Sequence, residues 1–113
     1  MFIKIFFMRT LLKASFDVNA ANQAIKSGAL PKAIKEITER LKPEASYFFP
    51  SKGKRSCLMV FDLKDPSDIP SIVEPLFMQM NAEVELTPVM NTDDLQKGLS
   101  SIMHANEHAG AFN

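Results

Sequence analysis

The chain has 113 residues, 46% of them hydrophobic, the size and composition of one compact domain with a small core. Thirteen basic residues balance thirteen acidic ones, which removes the long-range attraction that draws a protein to nucleic acid or to an acidic membrane surface. A single cysteine closes no internal disulfide, and no run approaches the ~18 apolar residues that span a bilayer. The expectation is a cytoplasmic protein that binds neither nucleic acid nor membrane.

The N-terminal MFIKIFFMRTLLKASF superficially resembles a signal peptide, but Lys4, Arg9 and Lys13 divide its apolar stretch and no small-x-small cleavage site follows. Arg9–Phe16 reads as the first strand, with Thr10, Leu12, Ala14 and Phe16 alternating against Leu11, Lys13 and Ser15. A strand running unbroken from Phe2 to Phe16 would exceed the usual ~3–10 residues. Met8 therefore reads as an original start, and residues 1–7 as an added arm.

Asp17 or Asn19 caps a helix that Gly28 stops, and Pro31 suits the first turn of its continuation through Leu30, Ile34, Ile37 and Leu41. Residues 18–42 are thus expected to form one helix broken or kinked near Gly28–Pro31, ending at Lys42–Pro43. Ala45–Phe49 and Arg55–Leu63 flank the loop Pro50–Lys54, whose Gly53 can take the positive φ of a hairpin turn. Ser67 or Asp68 caps a further helix with Ile69, Ile72, Val73, Leu76 and Met80 along one stripe, kinked by Pro75. Glu83–Val89 is the last strand, with Val84 and Leu86 on one side and Glu83, Glu85 and Thr87 on the other. Asn91 with Asp94 forms a capping arrangement for a short helix through Leu95, Leu99, Ile102 and Met103, and residues 104–113 read as a tail.

This β-α-β-β-α-β order predicts an α+β domain over residues 8–103 of the ferredoxin-like kind, an antiparallel sheet with its major helices on one face. The segment SCLMVFDL at 56–63 is apolar on both sides, and too few helices remain to cover a second face. With Leu12, Leu58, Val60, Val84 and Leu86 turned toward the helices, the open face would carry Leu11, Lys13, Ser15, Cys57, Met59, Phe61, Glu83 and Glu85. Two such faces mated about a twofold axis would bury Leu11, Cys57, Met59 and Phe61 as a homodimer interface. Lys13, Glu83 and Glu85 would border a central cavity, with Arg9, Tyr47 and Glu74 at its rim.

The wording GALPKAIKEITERLKPEASYFF, VFDLKDPSDIP and EPLFMQMNAEVELTPVMNTDDLQKGL resembles a group of small uncharacterised bacterial proteins within the dimeric α/β-barrel superfamily. The resemblance runs from about Met8 to Leu99. It implies two ferredoxin-like sheets joined back to back, in a superfamily whose members include cofactor-free monooxygenases, lactone isomerases, haem enzymes and small stress-response proteins. It names no reaction for this chain.

Sharper chemical readings find little support in the residues. Haem-degrading members of the superfamily resemble one another in a tryptophan, a histidine ligand and an asparagine over the cofactor, whereas this chain has no tryptophan and both of its histidines lie in the tail. His104 and His108 are spaced to face together on a helix, but two ligands are too few for a metal site. No cofactor and no metal are expected. GKRS at Gly53–Ser56 resembles the end of a phosphate loop, yet Phe48 occupies the position of the required earlier glycine and no helix follows. Cys57 and Met59 stand where an RNA-binding module of the same strand order would stack aromatic rings. Cys57 within an apolar strand reads as packing rather than as a reactive thiol, and Met59, Met78, Met80 and Met90 as gap-filling or as the lining of an adaptable pocket.

Two functions follow from the cavity. The first is a small-molecule-binding or signalling module. The second is a cofactor-free monooxygenase or isomerase acting on a small carbonyl or phenolic compound, in which a Lys13–Glu85 pair supplies acid and base. A plain cross-strand ion pair between the same two residues is the simpler expectation.

Overall fold

The structure, a computed structural model, describes residues 7–108, and side chains as far as residue 105. Of the proposed arm at 1–7, all but Phe7 lies outside the described residues. The elements run β1 (Met8–Ser15), α1 (Val18–Ser27), α2 (Ala29–Leu41), β2 (Ala45–Ser51), β3 (Lys54–Leu63), a 3-10 turn (Pro66–Asp68), α3 (Ile69–Met80), β4 (Glu83–Pro88) and α4 (Thr92–His108). The four strands form one antiparallel sheet in the order β2-β3-β1-β4.

Local chemistry sets the boundaries. The Asp17 carboxylate accepts from the Ala20 N–H at 2.9 Å and opens α1. Gly28, at φ 81°, takes the left-handed conformation that closes α1 and lets α2 start at a new angle, so the expected break falls there. The β2–β3 hairpin turns on Lys52 and Gly53, at φ 53° and 78°, the two positive values that a two-residue turn matched to strand twist requires. Glycine adopts its value freely; Lys52 does so against the steric preference of an L-residue. Asp65 caps the 3-10 turn through the Ser67 N–H, and Asp68, one of the two expected caps, stands at the N-cap position of α3 without a side-chain cap bond.

Pro75 sits inside α3 and has no N–H to give the Ser71 carbonyl. Arg40 of α2 replaces that donor: its guanidinium donates to the Ser71 carbonyl at 2.8 Å and also to the Ser71 hydroxyl. One side chain thus satisfies the acceptor freed by the proline and ties α2 to α3.

The helices cover one sheet face. Beneath them lie Thr10, Leu12, Ala14, Cys57, Met59, Phe61 and Leu63, with Val84 and Leu86 partly buried beside them. Ala21 and Ala24 let α1 approach the sheet closely, while α3 contributes Ile72, Leu76 and Met80. α2 supplies the half-buried Leu30, Ile34, Ile37 and Leu41. The buried Thr10 hydroxyl donates to the Met8 carbonyl at 2.9 Å. Among the described residues no buried side-chain polar atom lacks a partner.

The expected orientation of β3 is corrected. In the β1–β3 register Leu12 pairs with Met59, Ala14 with Cys57 and Thr10 with Phe61. Directly paired residues share a face, so Cys57, Met59 and Phe61 lie under the helices, at 2%, 0% and 2% exposure. Leu58 and Val60 take the opposite face. β1 and β4 have the expected orientation, with Leu12, Val84 and Leu86 inward and Leu11, Lys13, Glu83 and Glu85 outward.

Burial raises the Cys57 thiol pKa above its ordinary value, and a hydrogen bond with the Ala14 backbone offsets only part of that rise. Native protein should therefore react with a disulfide reagent such as DTNB at least about 100-fold more slowly than urea-unfolded protein, through loss of both access and thiolate. Equal rates would show that the core opens freely. The raised value also fixes a sign: this thiol's contribution to stability is complete below the ordinary thiol range and is lost as pH rises through the folded-state value.

α4 continues to His108, beyond the helix end expected near Met103. Asn91 and Asp94 hold its start reciprocally: the Asp94 N–H donates to Asn91 Oδ1 at 2.8 Å and the Asn91 N–H to Asp94 Oδ2 at 3.1 Å. Every residue from Thr92 to Ala105 is exposed. The Cα radius of gyration of 18.7 Å, against about 13 Å for a compact chain of this length, fits a helix standing off the body.

Candidate functional site

The sheet face that the chain's own helices leave uncovered is built from registered rows across the strands. One row reads Ala45, Val60, Leu11, Thr87 from β2 to β4. The next reads Tyr47, Leu58, Lys13, Glu85, and the third Phe49, Ser56, Ser15, Glu83. The face is therefore graded. Aromatic residues occupy the β2 edge, aliphatic ones the two central strands, and charge the β4 edge.

At the charged end a depression of about 360 Å³ is lined by Lys13, Ser15, Ser51, Lys52, Lys54, Glu83 and Glu85. Lys13 and Glu85 are direct cross-strand partners, Lys13 on the central strand β1 and Glu85 on the edge strand β4. The ion pair in the depression is Lys54 Nζ to Glu83 Oε1 at 3.6 Å, both groups being well solvated. The Ser15 hydroxyl, on its lining, meets the Ser56 hydroxyl at 2.9 Å. Lys52 and Lys54, absent from the expected set, arrive here because the hairpin turn curls beside β1. Their signal in the sequence was the basic turn KGK itself.

The other candidates separate. Arg9 lies at the far end of the same face, where its Nε donates to Glu44 Oε1 at 2.8 Å and its Nη1 pairs with Asp94. The Glu44 hydrogen bond raises the pKa of an already permanent cation, with Asp94 and Asp62 adding to the effect. Arg9 thus anchors the root of α4 and does not serve the depression. Tyr47 is on the open face and 66% exposed, but three strands from Glu85, roughly 14 Å at ~4.8 Å per strand. Glu74 is exposed on α3, in the helix layer behind the sheet, and cannot reach this face. Of the expected interface residues only Leu11 is there; Leu58 and Val60 take the places given to Cys57, Met59 and Phe61.

His104 lies on α4, and among the described residues no group of three or more His, Cys, Asp or Glu side chains is placed to hold a metal ion. No helix among the described residues is long and apolar enough to cross a membrane. Comparison with protein-family models, with curated proteins and with solved structures found no match.

Proposed function

We propose that the chain is a ferredoxin-like protomer of a homodimer, in which two open sheet faces pack together and enclose a small-molecule site at the Lys13–Glu85 depression. The observation that carries this reading is the row of partly exposed aliphatic residues, Leu11, Leu58 and Val60, on the two central strands of a face with no cover of its own. An apolar strip inside a polar rim is the usual surface of a protein–protein contact.

The sheet order favours one symmetry. A twofold axis along the strands, between two sheets ~10 Å apart, sets β3 of one protomer over β1 of its partner and β2 over β4. The aliphatic strip then meets itself. The same operation would carry Tyr47 of each protomer across to the other's Glu85, uniting groups that a single chain keeps apart. A ligand fitting such a site has an anionic end for Lys13 and Lys52 and a flat apolar body, as in a small phenolic carboxylate.

Two measurements test the proposal. Sedimentation of the purified chain should give a dimer. A panel of phenolic carboxylates, including salicylate and 4-hydroxybenzoate, should contain a compound that raises the melting temperature of the native protein and not of Lys13→Met. At 100 times its Kd such a compound adds about 2.7 kcal/mol. A dimer indifferent to the whole panel would remove the ligand class while leaving the assembly.

A further inference from the structure

α4 presents Leu95, Leu99, Ile102 and Met103 at 44%, 48%, 57% and 66% exposure, a helical i, i+4, i+7, i+8 stripe with no cover from its own chain. A 17-residue helix without tertiary packing is only marginally stable in water. Its root, by contrast, is fixed. The Asn91–Asp94 capping box and the Arg9–Asp94 ion pair hold the first turn against the sheet.

The position of that root identifies the occupant of the stripe. Arg9 belongs to the open-face set, two residues from Leu11 along β1, so the ion pair starts α4 on the side where a second sheet would lie. The helix is about 25 Å long, and packed sheets are only ~10 Å apart, so a helix rooted there is long enough to cross the gap and reach the opposing protomer. Area gives an independent argument. Four strands at ~4.8 Å and about seven residues at ~3.3 Å span a flat face of roughly 400 Å², short of the ~800 Å² per partner of a standard stable interface.

We infer that α4 is an exchanged arm, its Leu95–Leu99–Ile102 stripe packing on the second copy of this chain and supplying the contact area that the sheet face lacks. The inference rests on the proposed dimer and assigns a separate part of its stability to the arm.

The test uses the full chain. Sedimentation should show the Leu99→Lys, Ile102→Lys double variant folded by circular dichroism, with a dimer dissociation constant raised at least about 100-fold. Photo-crosslinking from Ile102→benzoylphenylalanine should give a covalent dimer. A native-like dissociation constant for the double variant overturns the arm and leaves the sheet-mediated dimer standing. A native chain that sediments as a monomer overturns both. A crosslink found only within one chain overturns the exchange and assigns the stripe to the chain's own surface.

Discussion

Phe61→Lys will unfold the chain rather than act at its surface. The ring lies under the helices at 2% exposure, beside Thr10 of β1 in the sheet register. Losing a buried phenylalanine costs about 3–5 kcal/mol as Phe→Ala, and lysine adds the penalty of placing an ammonium among apolar neighbours. Together these approach or exceed the ~5–15 kcal/mol that holds a small domain folded. The far-UV circular dichroism of the variant should be that of a largely unfolded chain at 25 °C, with no cooperative urea transition. A folded, soluble variant would place Phe61 outside the core and reverse the assigned orientation of β3.

Val60→Glu should do the opposite. Its cross-strand neighbours are Ala45 and Leu11 on the open face, where the single chain leaves room for a carboxylate to reach water. Folding stability should change by no more than about 1 kcal/mol, the span of strand propensity among residue types. In the proposed dimer the same substitution sets two carboxylates in the apolar strip near the axis. The dissociation constant should rise at least about 100-fold, as for a disrupted interface centre. Sedimentation against concentration reads the effect directly, and a dimer of native affinity would exclude this face as the contact. The two variants lie one residue apart, so a shared phenotype would contradict the face assignment itself.

The difference between those positions shows how far the sequence could be read. β1 and β4 announce their faces because polar residues occupy one side of each: Lys13 and Ser15 against Leu12 and Ala14, Glu83 and Glu85 against Val84 and Leu86. β3 offers no such contrast at Leu58 and Val60, so alternation alone is ambiguous there. The available signal was at the strand ends. Positions 56, 58, 60 and 62 begin and end with Ser56 and Asp62, whereas Cys57, Met59, Phe61 and Leu63 are apolar throughout, as a set buried against helices should be. The Gly28 break, the Gly53 turn and the Asn91–Asp94 cap were legible because each rests on a few adjacent residues. Arg9 bridging Glu44 and Asp94 was not, since its partners lie 35 and 85 positions away in sequence. The tail-like polarity of residues 104–113 likewise concealed the final helical residues, which polar side chains support as readily as a coil.

The bracket formed by Arg40 across the proline in α3 has a mechanical meaning. A helix missing an internal hydrogen bond is a natural hinge, and an arginine that fills the vacant acceptor from a neighbouring helix fastens the hinge to an outside post. Bending α3 at that point therefore also loads α2, and these two of the three helices above the sheet are coupled there. Compliance is displaced to the strand edges and to α4, the parts of the molecule that face outward.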